Sequence, residues 1–376
     1  MKVAIMIDSL AIGGAQKHVR QLACGLAGRG HCVTVYCLND VVHPIYREAL
    51  EAGGVELKVI GKVKVLNGRG LLEVAWTLRR NRHDVLVTVL FVSTLFGRVV
   101  AAMVGGIPVV TCLQARNINY TAAQKMALRV TAGLTNLTVT NSRNAIGWAV
   151  ENEGVDVRRC TFVANAVDPI RTAGSGQEHN RPTWTALGFP QLEGKTVIGS
   201  LGRLHRQKGY DVLLEAFAGI ASTLDACHVL LVGEGPERAA LVAQAKQLGL
   251  EGRVWFAGER AETRPLLEKM AIYVQPSRFE GTPNAVMEAM AAGLPVVASA
   301  VDGITELIAE GREGWLVPPE DAEVLAQRLA TKIAAPAEGR RAGQNGRARV
   351  ERDFTLVATL LGYERAICLA IVGEER

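Results

Sequence analysis

Short runs of apolar, β-branched residues alternate along the chain with longer stretches whose apolar positions recur every three or four residues. In the first half, KVAIMI, HCVTVYCL, VELKVI, DVLVTVL, IPVVTCL, LTVT and CTFVA predict strands. Helical patterns fall between them at 15–28, 44–52, 71–80, 94–104, about 122–131 and from Ser142 onward. The run 85–104 is long enough to span a bilayer. Gly97, Arg98 and several hydroxyls interrupt it, and Ser93 and Thr94 are placed to open a helix, so it reads as strand, turn and apolar helix. Residues 166–195 are polar and rich in Gly, Pro and Ser. Beyond them KTVIGSLG, CHVLLVG, RVWFAG, AIYVQPS and LPVVAS restart the alternation, each followed by a helical pattern. That rhythm predicts parallel sheets covered on both faces by helices. The expected fold class is therefore α/β, two doubly wound parallel-sheet domains at 1–170 and 196–354 with a linker at 171–195. Such sheets bind ligands at the carboxyl ends of their strands, and a site shared by two of them would occupy the cleft.

Length and composition agree with this picture. A chain of 376 residues, 49% hydrophobic and 21% charged, is globular and too long for one ordinary core. Its net charge of +5 is uneven: residues 1–170 carry 19 basic and 11 acidic side chains, a balance of +8. Either a few additional solvated arginines or an acidic partner explains the excess: a membrane, a phosphorylated acceptor or nucleic acid. Seven cysteines without a C-x-x-C pair read as reduced residues rather than bridges or metal ligands, with Cys32 and Cys37 expected to be buried. The first residues lack the pattern of a secretory signal, so a cytoplasmic location is expected.

Three loops carry candidate chemistry. Gly13-Gly14 stand at the start of the first helix, where a backbone can approach a ligand. The dinucleotide fingerprint G-x-G-x-x-G is absent, which argues against a dehydrogenase. In SLGRLHRQKGYD, Arg203 and Lys208 flank a glycine-rich loop and suit a diphosphate, Arg as a fork and Lys as a point charge; Arg206 reads as an ordinary surface charge. In PSRFEGTPNAVMEAMAAGLPVVAS, Thr282 is placed as an N-cap with Pro283 as the first helical residue. Glu280 precedes that helix and Glu288 lies inside it. A carboxylate in a phosphate pocket binds hydroxyls, which suits Glu288 to a ribose and Glu280 to a sugar or its linkage. No Asp-x-Asp triplet follows a strand and no His/Cys set has ligand spacing, so neither a metal nor another cofactor is expected.

With these motifs in order, the chain resembles the retaining glycosyltransferases of the GT-B type, family 4 or group 1, over nearly its whole length. GGAQ, GRLHRQKG, LLVGEGPER, VWFAGER and EGTPNAVMEAMAAGLPVVAS carry the resemblance, together with NAVDP at 165–169. It implies two Rossmann-like domains facing a central cleft, with the last helix, 355–372, returning to the N-terminal domain. It also implies a nucleotide sugar as co-substrate and a saccharide or lipid-linked saccharide as acceptor, in cell-surface glycan synthesis. Arg203 and Lys208 would hold the diphosphate, Glu288 the ribose, and Glu280 the sugar and linkage oxygen. Gly281, Thr282 and Pro283 would line sugar and phosphates. The segment Phe256 to Arg260, with Gly258, Glu259 and Arg260, would border the base, and Gly14 would let the first domain close on the diphosphate. Where the family often has His, this chain has Gln114-Ala115-Arg116-Asn117. Arg116 is read as a catalytic candidate there, with Gln114 and Asn117 toward the acceptor. In the mechanism usually proposed for the family, the departing phosphate oxygen takes the acceptor proton, so no protein nucleophile is needed. A non-catalytic nucleotide-sugar-binding subunit, a nucleotide-sugar 2-epimerase and a phosphorylase are the rival readings. No nucleic acid partner is expected; peripheral attachment to an anionic inner membrane face is.

Overall fold

The computed structural model describes residues 1–66, 68–114, 120–167 and 182–373. The chain forms two compact units, 1–166 with 356–376, and 167–355. The first unit runs β1 (Lys2–Ile7), α1 (Gly14–Gly28), β2 (Cys32–Cys37), α2 (Pro44–Ala52), β3 (Glu56–Val59), α3 (Lys62–Leu66), α4 (Arg69–Asn81), β4 (Val85–Val89), α5 (Phe91–Met103), β5 (Val109–Leu113), α6 (Ala122–Thr131), β6 (Leu137–Thr140), α7 (Asn144–Glu153) and β7 (Cys160–Phe162). Its sheet is parallel throughout, in the order β3-β2-β1-β4-β5-β6-β7. Side chains alternate across each strand. Val3, Ile5, Val85 and Val87 therefore pack on one face with α1 and α2, while Ala4, Met6 and Leu86 pack on the other with α4 and α5.

The second unit runs β8 (Thr196–Leu201), α8 (Tyr210–Ala221), β9 (Cys227–Val232), α9 (Arg238–Gln247), β10 (Val254–Phe256), α10 (Arg264–Leu267), β11 (Ile272–Gln275), α11 (Asn284–Ala291), β12 (Val296–Ser299), α12 (Asp302–Leu307), β13 (Trp315–Val317), α13 (Ala322–Ala334) and α14 (Pro336–Asp353). Its parallel sheet is ordered β10-β9-β8-β11-β12-β13. Each sheet reverses its strand order once, between β1 and β4 and between β8 and β11. Open sheets present ligands at the carboxyl edge beside such a reversal. The final helix, α15 (Leu356–Val372), belongs to the first unit and buries Leu360, Tyr363, Ala366, Ile367 and Ala370 against the α1 side of its sheet.

Several local expectations change. Ser93 and Thr94 do not open α5, which begins at Phe91; their hydroxyls turn back to the Leu90 carbonyl at 3.3 and 2.6 Å. The cap comes instead from Asp8 at the end of β1, whose carboxylate accepts the amides of Val92 and Ser93 at 3.1 and 2.6 Å. The polar stretch expected as linker is not uniformly loose. Residues 168–181 lie outside the described residues, but Trp184, Phe189 and Leu192 are buried, the two rings edge to face at 6.4 Å. Two elements, α3 and β13, lack sequence patterns long enough to announce them. Cys37 is buried as expected, whereas Cys32 begins β2 and is exposed.

Candidate functional site

The carboxyl-edge loops of β8 and β11 flank the reversal in the second unit. Gly209, at φ 65°, ends the β8 loop in the left-handed region, and any side chain on it would collide with the Pro276 carbonyl of the β11 loop. That close approach brings Lys208 to Glu280, with Nζ 2.5 Å from Oε1. Ser277 Oγ donates to the same oxygen at 2.7 Å and Gln275 Nε2 at 3.3 Å. Among the described residues Oε2 has one long contact, 3.5 Å, from Gln207 Nε2. The carboxylate is thus 5% exposed yet well compensated. Behind it, Tyr273 donates its hydroxyl to Gln275 Oε1 at 2.6 Å, which orients the Gln275 amide toward Glu280. Burial holds the Tyr273 phenol far above its usual pKa, so it remains a donor.

Arg278 locks the two loops. Its guanidinium forks onto Asp211 at 2.9 and 2.7 Å, donates to Glu320 at 2.8 Å and to the Arg206 carbonyl at 2.8 Å. These bonds drive its pKa above the ordinary arginine value, the Asp211 hydrogen bond contributing most.

Other candidates from the sequence are distributed around this centre. Arg203 follows β8, is exposed and makes no ion pair among the described residues. Gly281 and Thr282 are buried, and a side chain on Gly303 would strike the Gly281 carbonyl, so their backbone is packed in place. Thr282 is not the N-cap of α11. Val286 and Met287 donate to the Pro283 carbonyl at 3.1 and 3.3 Å, which makes Pro283 the cap residue, with extended backbone, and Asn284 the first helical residue. Pro283 contributes no side-chain cap of its own to this helix. Glu288 is half-buried in α11 and accepts from Thr263 Oγ1 at 3.1 Å, tying the helix to the β10 loop. In that loop Gly258 is left-handed and bridges to Gly233, and Glu259 is exposed. Arg260 donates to the Ala257 carbonyl at 3.1 Å and lies over the Phe189 ring at 5.6 Å.

Reading the sequence missed Gln207, Ser277, Gln275, Thr263 and Arg278. The Gln at the end of an otherwise apolar strand, followed by Ser two residues on, is the signal that marks two of them.

In the first unit Gly13 caps α1 and Gly14 is its first residue. Gln114 ends β5. Its side-chain Oε1 accepts from Asn165 Nδ2 at 3.0 Å, and its backbone carbonyl accepts from Asn141 Nδ2 at 3.0 Å. Tyr363 of α15 donates to Cys112 Sγ, two residues before Gln114, at 3.4 Å and pairs with His18 Nε2 at 2.9 Å. Burial pushes His18 down to about 4, so the ring is neutral. Arg116 and Asn117 lie outside the described residues, as do Asp168 and Pro169 of the NAVDP stretch. Among the described residues no three His, Cys, Asp or Glu side chains gather as a metal site would require.

Comparison with known proteins gives this arrangement a family. Curated relatives include a 2-deoxystreptamine glucosyltransferase from Streptomyces kanamyceticus, 31% identical over 68% of this chain and 63% of the relative. A lipopolysaccharide core biosynthesis glycosyltransferase from Rhizobium meliloti is 32% identical over 44% of this chain and 48% of its own length. The chain therefore spans between about half and two thirds of these relatives. The Anabaena protein HepE, solved in complex with UDP-glucose, superposes with a TM-score of 0.84 at 23% identity, covering 98% of this chain and 99% of that one, and shares its fold. The family described as Glycosyltransferase Family 4 matches residues 12–171, the family described as Glycosyl transferases group 1 matches 195–334, and with both halves accounted for in order the chain belongs to the GT-B glycosyltransferases of that family.

Proposed function

We propose that the protein transfers a sugar, with retention of configuration, from a nucleotide-diphosphate sugar to a saccharide or lipid-linked saccharide acceptor in cell-surface glycan synthesis. The observation that carries this reading is the Lys208–Glu280 pair at the strand-order reversal of the second unit. Lys208 and the exposed Arg203 supply positive charge for the two phosphates, and the start of α11 adds the favourable end of a helix dipole. Glu280 Oε2, with its single long contact, is placed to accept a sugar hydroxyl. Its partner oxygen is held by Lys208, Ser277 and Gln275. A carboxylate so engaged is a poor nucleophile, which favours a mechanism in which the departing phosphate takes the acceptor proton. Catalysis then rests on positioning and on stabilising the leaving diphosphate.

Glu288 is assigned to the ribose and the 256–260 loop to the base. Gln114, Arg116 and Asn117 are assigned to the acceptor and reacting groups. A cytoplasmic setting at the inner membrane face belongs to the same reading, as does independence from divalent metal. UDP-glucose is the first donor to try, since a protein of the same fold binds it. A thermal-shift panel of nucleotide sugars tests donor binding: a ligand at 100 times its dissociation constant adds about 2.7 kcal/mol of stability. Transfer of radiolabelled sugar to a surface-glycan extract, in excess chelator, tests the reaction. Binding without transfer to any acceptor, or transfer that needs added divalent cation, would overturn the corresponding part of the proposal.

A further inference from the structure

The outer side of α4 and α5 combines features that a water-facing surface avoids. α5 buries Phe96, Val100 and Ala101 against the sheet. Its one arginine, Arg98, is turned inward to Thr135 Oγ1 at 2.7 Å and the Leu128 carbonyl at 3.1 Å. The opposite side of the helix is nevertheless a second apolar stripe, Val92, Leu95, Val99 and Met103, and three of these four are exposed. A helix apolar all round belongs in a core or in lipid.

On α4, Arg69, Leu72, Trp76 and Arg80 share one stripe by their spacing of three and four. Leu72 is 65% and Trp76 60% exposed, and the Arg80 guanidinium lies 4.8 Å from the Trp76 ring centre. An open groove of about 280 Å³ runs between the helices, lined only by Leu71, Phe91, Val92, Leu95, Phe96 and Val99.

Charge frames this apolar surface. Residues 62–82 carry six basic side chains, Lys62, Lys64, Arg69, Arg79, Arg80 and Arg82, against Glu73 alone. Glu73 is taken up by Lys64 at 2.7 Å. This short segment thus supplies a net +5, most of the +8 found in residues 1–170.

We propose that the α4–α5 face lies on an anionic lipid bilayer, with Leu72, Trp76 and the outer stripe of α5 at the boundary of headgroups and acyl chains, an acyl chain in the groove, and the basic residues against lipid phosphates. Aromatic and basic residues around an exposed apolar face are the composition that partitions into that boundary. A protein partner for so cationic a rim would itself need a dense acidic surface around an apolar ridge. The bilayer offers both at once. The setting rests on the proposed function at the membrane; the binding itself needs neither donor nor acceptor.

Flotation of the full chain with vesicles tests it. Binding is expected to mixed phosphatidylcholine–phosphatidylglycerol vesicles and not to phosphatidylcholine alone. It is expected to fall as salt rises, because such attraction is screened over about 10 Å at 0.1 M. Arg79→Glu/Arg80→Glu and Leu72→Ser/Trp76→Ser should each lower vesicle affinity at least tenfold while leaving the unfolding midpoint in place, since these side chains are exposed. Leu361→Ser is the control. It removes an exposed apolar residue from α15, which packs on the opposite face of the same sheet, and should leave binding unchanged. No flotation at low salt would overturn the proposal, as would an equal loss in Leu361→Ser. A dimer in sedimentation velocity that dissociates in Leu72→Ser/Trp76→Ser would also overturn it, by assigning the face to a second copy. Nucleotide-sugar binding measured on the same samples keeps the two ideas apart: vesicle binding by a protein that binds no donor would sink the proposed function and leave the membrane face standing.

Discussion

Each sheet places a carboxylate where its strand order reverses, and the two carboxylates do opposite things. In the first unit Asp8, at the end of β1, caps the start of α5 through the amides of Val92 and Ser93. The anion-attracting end of that helix is therefore already filled by the protein's own negative charge. Burial raises the pKa of Asp8, and the hydrogen bonds from Ser93 and Val92 offset only part of that shift. In the second unit Glu280 does not cap α11. It meets Lys208 across two loops, and the helix begins at Asn284 after a proline that offers no side-chain cap. The first unit has thus neutralised its ready-made phosphate position, while the second has kept a cation and a helix start there. On the proposed reading, the same fold used twice receives a diphosphate once. The neutral cluster of Gln114, Asn141, Asn165, His18 and Tyr363 in the first unit fits hydroxyl-bearing ligands better than anions.

The largest test of this contrast is Lys208→Ala. It removes the cation proposed for the diphosphate and leaves Glu280, 5% exposed, without its counter-charge. Breaking one side of a buried pair costs about 3–5 kcal/mol, so urea unfolding should shift strongly. Turnover should fall by at least about a hundredfold, the scale of losing one charge-stabilising group. Lys208→Ala/Glu280→Gln separates the two effects: stability should recover and turnover should not. Recovery of both would make the pair structural.

Part of this arrangement was legible in the sequence and part was not. The apolar strands and the helices between them are local patterns, so the doubly wound fold follows from periodicity. Glu280, Lys208 and Glu288 stand out by residue type beside glycines and a helix start. Their bonding does not: Lys208 and Glu280 are 72 residues apart, and they meet because Gly209 lets its loop approach Pro276 while Arg278 bonds across the two loops. The Asp8 cap on α5 spans 85 residues to Ser93, which is why Ser93 and Thr94 looked like the natural start. Trp184 and Phe189 were hidden by the polar composition around them. The short strand β13 gives three residues of pattern, too few to separate from a loop.

A second test compares compensated with uncompensated burial. Glu153, at the end of α7, is 3% exposed, and burial raises it to about 7 with only partial relief from Arg98. Its folded pKa lies above the ordinary glutamate value of 4.5, so the folded state holds the proton more tightly. Stability is lost as pH rises from about 4.5 through about 7. Glu153→Gln should remove that loss and stabilise the protein at pH 8 by up to roughly 3 kcal/mol. His18 slopes the other way. Its folded pKa of about 4 lies below 6.5, so stability is lost as pH falls across that window. Chemical denaturation of the Gln variant across pH should therefore flatten the alkaline side and keep the acid side. An unchanged alkaline limb would mean Glu153 is not the buried acid responsible.

The donor site itself is tested by Glu288→Ala. Hydrogen bonds to a charged group contribute about 1.5–3 kcal/mol each, so nucleotide-sugar affinity should drop at least about tenfold. Titration calorimetry against the free nucleotide diphosphate reads the nucleotide part alone. Unchanged affinity in a folded variant would remove Glu288 from the ribose and leave it as the partner of Thr263.

The smallest expected effect bears most directly on the contrast between the two sheets. Asp8→Ala takes away the carboxylate that occupies the start of α5 and leaves the amides of Val92 and Ser93 without their acceptor. Loss of a capping side chain costs about 0.5–2 kcal/mol. If Asp8 is only a cap, that loss should stand whatever the solution anion. If it fills an anion position, as the comparison with α11 holds, an added oxyanion should replace it. Sulfate or inorganic phosphate should then stabilise Asp8→Ala more than the parent, because a ligand that binds only the folded state adds stability with its concentration. General salting-out by sulfate acts on both proteins and cancels in the difference. Asp8→Asn supplies the intermediate case, since its amide oxygen still accepts a hydrogen bond but carries no charge; its rescue should be weaker. Thermal unfolding of the three proteins in matched chloride and sulfate measures this directly. Equal anion responses in all three would show that the start of α5 attracts no anion, and the difference between the two sheets would then rest on Lys208 alone.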